Sequence, residues 1–203
     1  MPKAIFLIAA AVAAATAGAD RIISTPMGKK VPQNAAKLEF LSVPGRDTSF
    51  GWIGLGLTNS IELELSGERF NNDRVIPGLN LSYNYLTPIT DLAPGVSAGI
   101  LDATDQTAER RAAYLAITYY FGNLDIFNQD TPTILTFGGW SRDGGGFFFN
   151  ISIPLTNEFR LIGDHDGGTL TAGVEYKPFP EASLKYLFRE GAPAFGFSLQ
   201  KKF

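Results

Sequence analysis

The only histidine of the chain, His165, lies between two carboxylates, Asp164 and Asp166. Imidazole is the commonest general base in proteins, so acid–base chemistry would be centred here. No serine-containing motif points at His165, which leaves a lipid hydrolase acting at the rim of a barrel as a remote alternative. The aspartates and the following Gly167 and Gly168 offer oxygen ligands for calcium, but the later bidentate glutamate of a calcium loop is missing. We therefore predict a turn here, no enzyme, no metal site and no cofactor.

The composition narrows the class of protein. The 203 residues include 17 Lys and Arg against 20 Asp and Glu, and the net charge of −3 argues against a nucleic-acid partner. The absence of cysteine excludes disulfides, thiol catalysis and zinc–thiolate sites. Charged residues make up 18% of the chain, below the roughly 25% of soluble domains, while aromatic residues reach 12%. These values favour an all-β chain with an apolar surface to cover.

Residues 1–19 have the pattern of a cleavable signal peptide. Lys3 provides a short basic start, and an unbroken apolar run follows it. Ala17-Gly18-Ala19 then forms a cleavage site, with Ala15-Thr16-Ala17 as the alternative, so the mature chain would begin at Asp20. The apolar run of about a dozen residues is too short for a membrane-spanning helix, which needs roughly 20. We therefore expect an exported protein.

Polar and apolar residues alternate along most of the remaining chain. In one run, Ile61, Leu63 and Leu65 fall on one face, while Glu62 and Glu64 fall on the other. Turn sequences rich in glycine, proline and aspartate separate the runs. About twelve runs of roughly 8 to 11 residues suit strands that cross a membrane at a tilt. They lie near residues 36–43, 48–57, 60–69, 77–86, 95–103, 112–121, 132–141, 146–154, 158–166, 169–177, 182–189 and 195–203.

This pattern predicts an all-β fold, an antiparallel up-and-down transmembrane β-barrel of about 12 strands, with about 10 as the alternative. The barrel would comprise residues 35–203. An even number of strands in a closed ring leaves no open sheet edge in lipid. Residues 20–34, which contain Pro26, Gly28 and Pro32, are predicted to be an extended periplasmic lead-in or else a plug.

Three features favour a membrane barrel over a soluble one. The signal peptide directs the chain beyond the inner membrane. The apolar face carries aromatic side chains of the kind that form interface girdles; they are Tyr83, Tyr85, Tyr119, Phe121, Phe147, Phe149, Tyr176, Tyr186 and Phe188. The end of the last strand resembles the terminal signal by which outer-membrane barrels are recognised for assembly. The residues that carry the resemblance are Phe195, Phe197, Leu199 and Phe203, and Lys201 departs from the alternation.

These features predict the bacterial outer membrane as the location, with outer-membrane lipid and the barrel-assembly machinery as partners. The alternative is a soluble exported β-barrel or β-sandwich that binds an apolar ligand in its interior.

The charged face would line the lumen. Strands about 4.8 Å apart and tilted by about 40° enclose a bore of roughly 10 Å after inward side chains are counted. The acids are concentrated around residues 62–68 and the bases around residues 177–202, so they either pair across the bore or set up a transverse field. The charged residues predicted to face the lumen are Lys37, Glu39, Glu62, Glu64, Glu68, Glu158, Arg160, Asp164, Glu175, Lys177, Lys185, Arg189 and Lys202. The sequence is compatible with two functions: a passive channel for small solutes, and a scaffold whose interior charges brace the barrel.

Five segments resemble the YjbH-like outer-membrane proteins of exopolysaccharide biosynthesis. The segments are Ser24–Gly28, near the start of the mature chain, and Gly95–Asp102, Ala113–Thr118, Leu161–Gly168 and Ala172–Pro178 in the strands. The resemblance implies an outer-membrane barrel associated with polysaccharide export rather than a catalytic site. It also adds polysaccharide to the small solutes as a candidate partner.

Overall fold

The chain forms a closed barrel of twelve strands. The structure is a computed structural model that describes residues 21–71, 74–107, 110–122, 131–142 and 146–203. The strands are β1 (Ala35–Val43), β2 (Thr48–Gly56), β3 (Ile61–Arg69), β4 (Ile76–Leu86), β5 (Gly95–Leu101), β6 (Ala112–Phe121), β7 (Thr133–Trp140), β8 (Gly146–Pro154), β9 (Phe159–His165), β10 (Leu170–Phe179), β11 (Ala182–Arg189) and β12 (Ala192–Lys202). Within the described residues, we find no helix with the length and apolar character to cross a membrane.

Each strand pairs antiparallel with its neighbours in chain order, and β1 pairs with β12 to close the ring. The closing ladder runs from Ala35 opposite Lys202 to Ser42 opposite Phe195. The up-and-down barrel predicted from the alternation is therefore confirmed, with the larger of the two strand numbers. We call the end at which β1 begins and β12 finishes the termini end, and the other end the loop end.

The outer surface of the barrel is apolar. Phe147 exposes 88% of its surface and Leu161 exposes 43%. All of the aromatic residues that the sequence assigns to the apolar face are exposed. Glu62 on β3 and Lys185 on β11 each lie between two apolar residues of their strand, and both are buried inside the barrel. A soluble barrel would bury its apolar face, so the alternative of a soluble protein with an apolar interior does not agree with this arrangement.

Residues 21–32, which we call the plug, lie inside the barrel. Ile23, Thr25 and Met27 are buried there. The predicted periplasmic lead-in is therefore corrected for residues 21–32, since they enter the lumen, which is the plug alternative. Gln33 and Asn34 are exposed and connect the plug to β1. The predicted bore of roughly 10 Å is filled for the same reason. Asp20 and the predicted signal peptide, residues 1–19, lie outside the described residues.

Candidate functional site

The plug crosses the lumen between opposite walls. It is bonded to β3 and to β9, which are six strands apart in the ring of twelve and so face each other. Between these walls it also contacts β5, β6 and β11. Because its partners come from so many strands, the plug acts as a strut across the barrel.

One anchor of the plug is Asp164 on β9, a fully buried residue. Its carboxylate accepts hydrogen bonds from the main-chain amides of Ser24 and Thr25 at 3.1 and 3.0 Å. The hydroxyls of the same two residues donate to it at 2.9 and 2.8 Å. Asn150 on β8 donates to the Thr25 hydroxyl at 2.8 Å. The Ser24-Thr25 pair thus supplies the donors that water would otherwise supply to this carboxylate.

The opposite anchor is Glu64 on β3. Arg21 pairs with its carboxylate at 2.5 Å, and both side chains are almost completely buried. Asn80 on β4 also donates to Glu64, at 2.5 Å. The Arg21 guanidinium lies 4.9 Å from the centre of the Trp52 ring, which gives it a cation–π contact. This anchor therefore joins two opposite charges, whereas the described partners of Asp164 are uncharged.

The middle of the plug lies close to β5 and β6. The Ser97 hydroxyl donates to the carbonyl of Met27 at 2.7 Å, and the amide of Gly28 donates to the Thr118 hydroxyl at 2.7 Å. A Cβ atom on Gly28 would lie 2.6 Å from the carbonyl oxygen of Gly95. Glycine is therefore the residue that permits this approach of the two backbones.

After Gly28 the plug returns toward β3 and the start of β1. The ammonium of Lys30 donates to the Tyr114 hydroxyl at 2.9 Å. The amide of Val31 donates to the Glu62 carboxylate at 2.9 Å. Both acids in the middle of β3 are thus bonded to the plug, Glu64 through a side chain and Glu62 through a main-chain amide.

An apolar cluster also holds the plug. Ile22, Ile23 and Met27 pack in a buried cluster that includes Ile162 on β9 and Leu187 on β11. The last two residues break the alternation of their strands, because they are apolar residues on the lumen face. Contact with the plug removes them from water, which is favourable. These two breaks are the signal in the sequence from which a plug could have been inferred.

Basic side chains of the lumen collect near the termini end. Glu39 on β1 binds the ammonium groups of Lys37 and Lys185, each at 2.8 Å. Lys185 also donates to the carbonyl of Ile22 in the plug at 2.5 Å. Glu62 and Glu64 on β3 therefore have partners on the plug, and Lys185 on β11 has partners on the plug and on β1.

The plug leaves two cavities of about 50 Å³ each. The cavity toward the loop end is lined by Trp52, Trp140 and Arg142, among others. The cavity toward the termini end is lined mainly by charged side chains of β1, β9, β10 and β11. Arg21 borders both, so the plug lies between them.

Most of the charged residues predicted for the lumen lie there. The buried ones are Lys37, Glu39, Glu62, Glu64, Arg160, Asp164, Glu175 and Lys185. The half-buried ones, which line the two cavities, are Glu68, Lys177 and Arg189.

Two predicted lumen residues, Glu158 and Lys202, are instead exposed, because one lies just before a strand and the other at the end of one, at the rim of the barrel. Glu158 precedes the first residue of β9 and belongs to a turn, where Thr156 donates to its carboxylate at 3.0 Å. Lys202 is the last residue of β12 and lies at the rim of the barrel.

His165 supports the turn between β9 and β10. Its ring stacks on Phe149 with the ring centres 5.3 Å apart, and its Nδ1 accepts a hydrogen bond from the amide of Gly167 at 3.1 Å. Asp166 accepts from the amide of Thr169 at 2.7 Å. The predicted turn is confirmed, and Gly167 takes a φ of 92°, which glycine adopts without strain. In the described part of the chain, no group of three or more potential ligands is placed to hold a metal ion.

Asp102 organises the connection between β5 and β6 at the loop end. Its carboxylate accepts from the Thr104 hydroxyl at 2.7 Å and from the amide of Thr107 at 2.6 Å. Burial by itself raises the pKa of Asp102, but these bonds and one from the Gln106 amide outweigh it and hold the pKa below its usual value. The ionised carboxylate of Asp102 therefore holds the connection between β5 and β6 at the inner rim of the barrel.

The residues of the predicted assembly signal lie on the outer face of the last strand or directly after it. Phe197 packs against Phe40 across the closing pair of strands, with ring centres 5.8 Å apart. The amide of Phe203 donates to the carbonyl of Asn34 at 2.7 Å. Phe195 and Leu199 share the outer face with Phe197. Their part in assembly stays a prediction.

No family model matches the chain, and no curated protein matches it. Among solved structures, it is similar to the KdgM porin at 12% identity and a TM-score of 0.51, over 83% of this chain and 99% of that one. A chain from a study of the in-meso crystallization of membrane proteins matches at 13% identity and the same TM-score of 0.51, over 83% of each chain. The fold is that of a porin-like barrel. None of these comparisons bears on the YjbH-like family, which stays a prediction.

Proposed function

We propose that the protein is a β-barrel of the bacterial outer membrane whose lumen is a channel closed by its own N-terminal plug. The observation that carries this proposal is the combination of an apolar outer surface with a polar lumen. Side chains such as Phe147 and Leu161 would contact hydrocarbon, and a closed ring satisfies the main-chain hydrogen bonds that lipid cannot. The likeness in fold to the KdgM porin supports the proposal.

The chemistry of the plug supports a closure that can open. Its anchors at Asp164 and Glu64 are hydrogen bonds and one ion pair. Water can replace each of these bonds when the plug moves, so displacement costs less than the loss of a strand from the barrel. Small solutes would pass only when residues 21–32 leave the lumen.

Cell fractionation with a heat-shift gel tests the membrane location. We expect the protein in the outer-membrane fraction, and we expect the unboiled protein to migrate differently from the boiled one because the folded barrel resists detergent. Recovery in the soluble periplasmic fraction, with one band under both conditions, would contradict the proposal.

A disulfide lock tests the channel. The chain has no cysteine, so Thr25→Cys with Asn150→Cys, at two residues whose side chains are hydrogen-bonded in this structure, can form only one disulfide within the chain. In planar bilayers we expect a barrel without residues 21–32 to conduct, the oxidised double variant to stay closed, and a reductant to restore its parent behaviour.

Thr25→Cys alone is the matched control, because it carries the same change in the plug but cannot be locked. If the barrel without its plug folds by the heat-shift criterion and carries no current, the channel proposal fails.

A scaffold in exopolysaccharide export is the second candidate function. Segments on which the resemblance to YjbH-like proteins rests contact one another in the lumen. Thr25 of Ser24–Gly28 bonds to Asp164, and Met27 of the same segment bonds to Ser97 of Gly95–Asp102. The test is the amount of secreted polysaccharide from a strain without the protein. An unchanged amount would contradict this candidate, and rescue by the locked barrel would favour a scaffold over a channel.

A further inference from the structure

The cavity at the termini end is surrounded by basic side chains from four strands. They belong to β1, β9, β10 and β11 and are Lys37, Arg160, Lys177 and Lys185. Three carboxylates line the same cavity, namely Glu39, Glu175 and Glu181. Glu181 lies in the turn after β10, at the rim, while Glu39 and Glu175 are buried. The inner part of the cavity therefore has more cations than carboxylates.

Three of the four cations have acceptors from the protein. Glu39 holds Lys37 and Lys185. Arg160 donates through Nε to the Ser152 hydroxyl at 2.7 Å, and through one terminal nitrogen to a main-chain carbonyl at 2.9 Å. These bonds fix the three cations in place around the cavity.

Lys177 differs from the other three. Its side chain is half-buried, and among the described residues its ammonium group makes no hydrogen bond, although an ammonium has three donors. Glu175 attracts it, while the charges of Arg160, Lys37 and Lys185 repel it. A partly buried cation that makes no hydrogen bond and has one carboxylate against three like charges around it is not fully compensated. An anion in the cavity would remove this cost.

The cavity has room for such an anion. Its volume is about 50 Å³, several times the roughly 10–15 Å³ that a cavity needs to hold one water molecule. Pro180 and Glu181, in the turn between β10 and β11, border it at the rim of the barrel. A small group can therefore enter from the termini end while the plug stays in place.

We propose that this cavity binds an oxyanion, with Lys177 and Arg160 as the donors and Lys37 and Lys185 as the surrounding positive charge. The oxyanion is inorganic phosphate or the carboxylate of a larger solute. This inference rests on the proposed channel function, since it assigns a negative charge to the solute that the lumen would accept.

Calorimetric titration of the full, folded barrel in detergent tests the site. The probes are sodium phosphate and sodium glucuronate, against sodium chloride at matched ionic strength, and the first two separate a free oxyanion from the carboxylate of a sugar. We expect phosphate or glucuronate to bind where chloride does not. Lys177→Gln should weaken that binding by about tenfold or more, because it removes a charged hydrogen bond.

Two further variants separate this site from a general effect on the barrel. Arg189→Gln removes a lumen cation that pairs with Asp166 at the loop end, and we expect it to leave the affinity unchanged. Glu175→Gln removes a competing carboxylate and should raise the affinity, the opposite direction to Lys177→Gln. Equal losses in all three variants would overturn the inference.

The outcome also separates this inference from the channel proposal. Absence of phosphate and glucuronate binding to the parent barrel overturns the inference, whether or not the barrel conducts. A barrel that binds the oxyanion and never conducts overturns the channel alone.

Discussion

The two anchors of the plug are built on carboxylates at opposite walls, yet they use different chemistry. At β9, Asp164 accepts hydrogen bonds from the amides and hydroxyls of Ser24 and Thr25. At β3, Glu64 meets the guanidinium of Arg21. The described partners of Asp164 are uncharged, so its carboxyl oxygens are satisfied by several oriented dipoles. The charge of Glu64 is balanced by a cation that the plug itself brings into the lumen.

Because of this difference, the two anchors contribute differently to the position and the stability of the plug. Two adjacent amides and two hydroxyls converge on Asp164 in one orientation of the backbone, so this anchor fixes the position of the plug. A buried ion pair gains Coulomb energy but loses hydration, so its net effect on stability is smaller than its geometry suggests. We therefore expect the Asp164 anchor to contribute more to holding the plug than the Glu64 anchor.

Asp164→Ala should have the largest effect. It removes the acceptor of four buried donors, and we expect a loss of about 4 kcal/mol in the free energy of unfolding. Met27→Cys, added as a probe, should then react with a maleimide on polyethylene glycol in the folded barrel, whereas the same probe in the parent should not. Asp164→Asn, which keeps one acceptor, should lie between the two. Equal labelling in parent and variant would show that Asp164 does not hold the plug.

The ion pair comes second. Arg21→Met leaves the buried Glu64 carboxylate without its guanidinium, and we expect a loss of about 3 kcal/mol. Arg21→Met with Glu64→Gln should lose only about 1 kcal/mol, because the uncompensated charge is then gone. Urea unfolding of the two single variants and the double variant gives the coupling energy. Additive losses would mean that the two side chains do not interact.

The apolar contact between the anchors should rank third. Met27 is fully buried, and Met27→Ala should cost about 2 kcal/mol through the cavity that it leaves. Leu65→Ala on the exposed outer face is the matched control, and in the same urea unfolding it should lose less than Met27→Ala because it leaves no buried cavity. A larger effect of Met27→Ala than of Asp164→Ala would reverse the ranking of the polar and apolar contacts.

An exposed pair outside both anchors should have the smallest effect. The Thr169 hydroxyl and the Arg46 guanidinium lower the pKa of Glu190. Because the pKa is lowered by folding, this stabilisation is present above the ordinary pKa of a glutamate and is lost as the pH falls through the lowered value. Near neutral pH, Glu190→Gln should therefore unfold at a slightly lower temperature than the parent in the heat-shift gel. In strong acid the two unfolding temperatures should match. Plug labelling near neutral pH should not change.

The charged residues show how far sequence reasoning extends. Glu62, Glu64 and Lys185 could be assigned to the lumen because each alternates with residues that suit lipid. Glu158 and Lys202 could not be assigned correctly, since the alternation carries no mark of where the lumen ends and the rim of the barrel begins. His165 was recognised as part of a turn, but the stacking on Phe149 depends on the register between β8 and β9.

The amino-acid sequence by itself determined the strands, their approximate number and the face that points outward, because a strand repeats every two residues and a membrane barrel has a different solvent on each side. The tertiary structure decided the contents of the lumen. Residues 21–32 have no period of their own, and their partners Glu64, Ser97 and Asp164 are far apart in the chain. Only closure of the ring brings these side chains together around one segment.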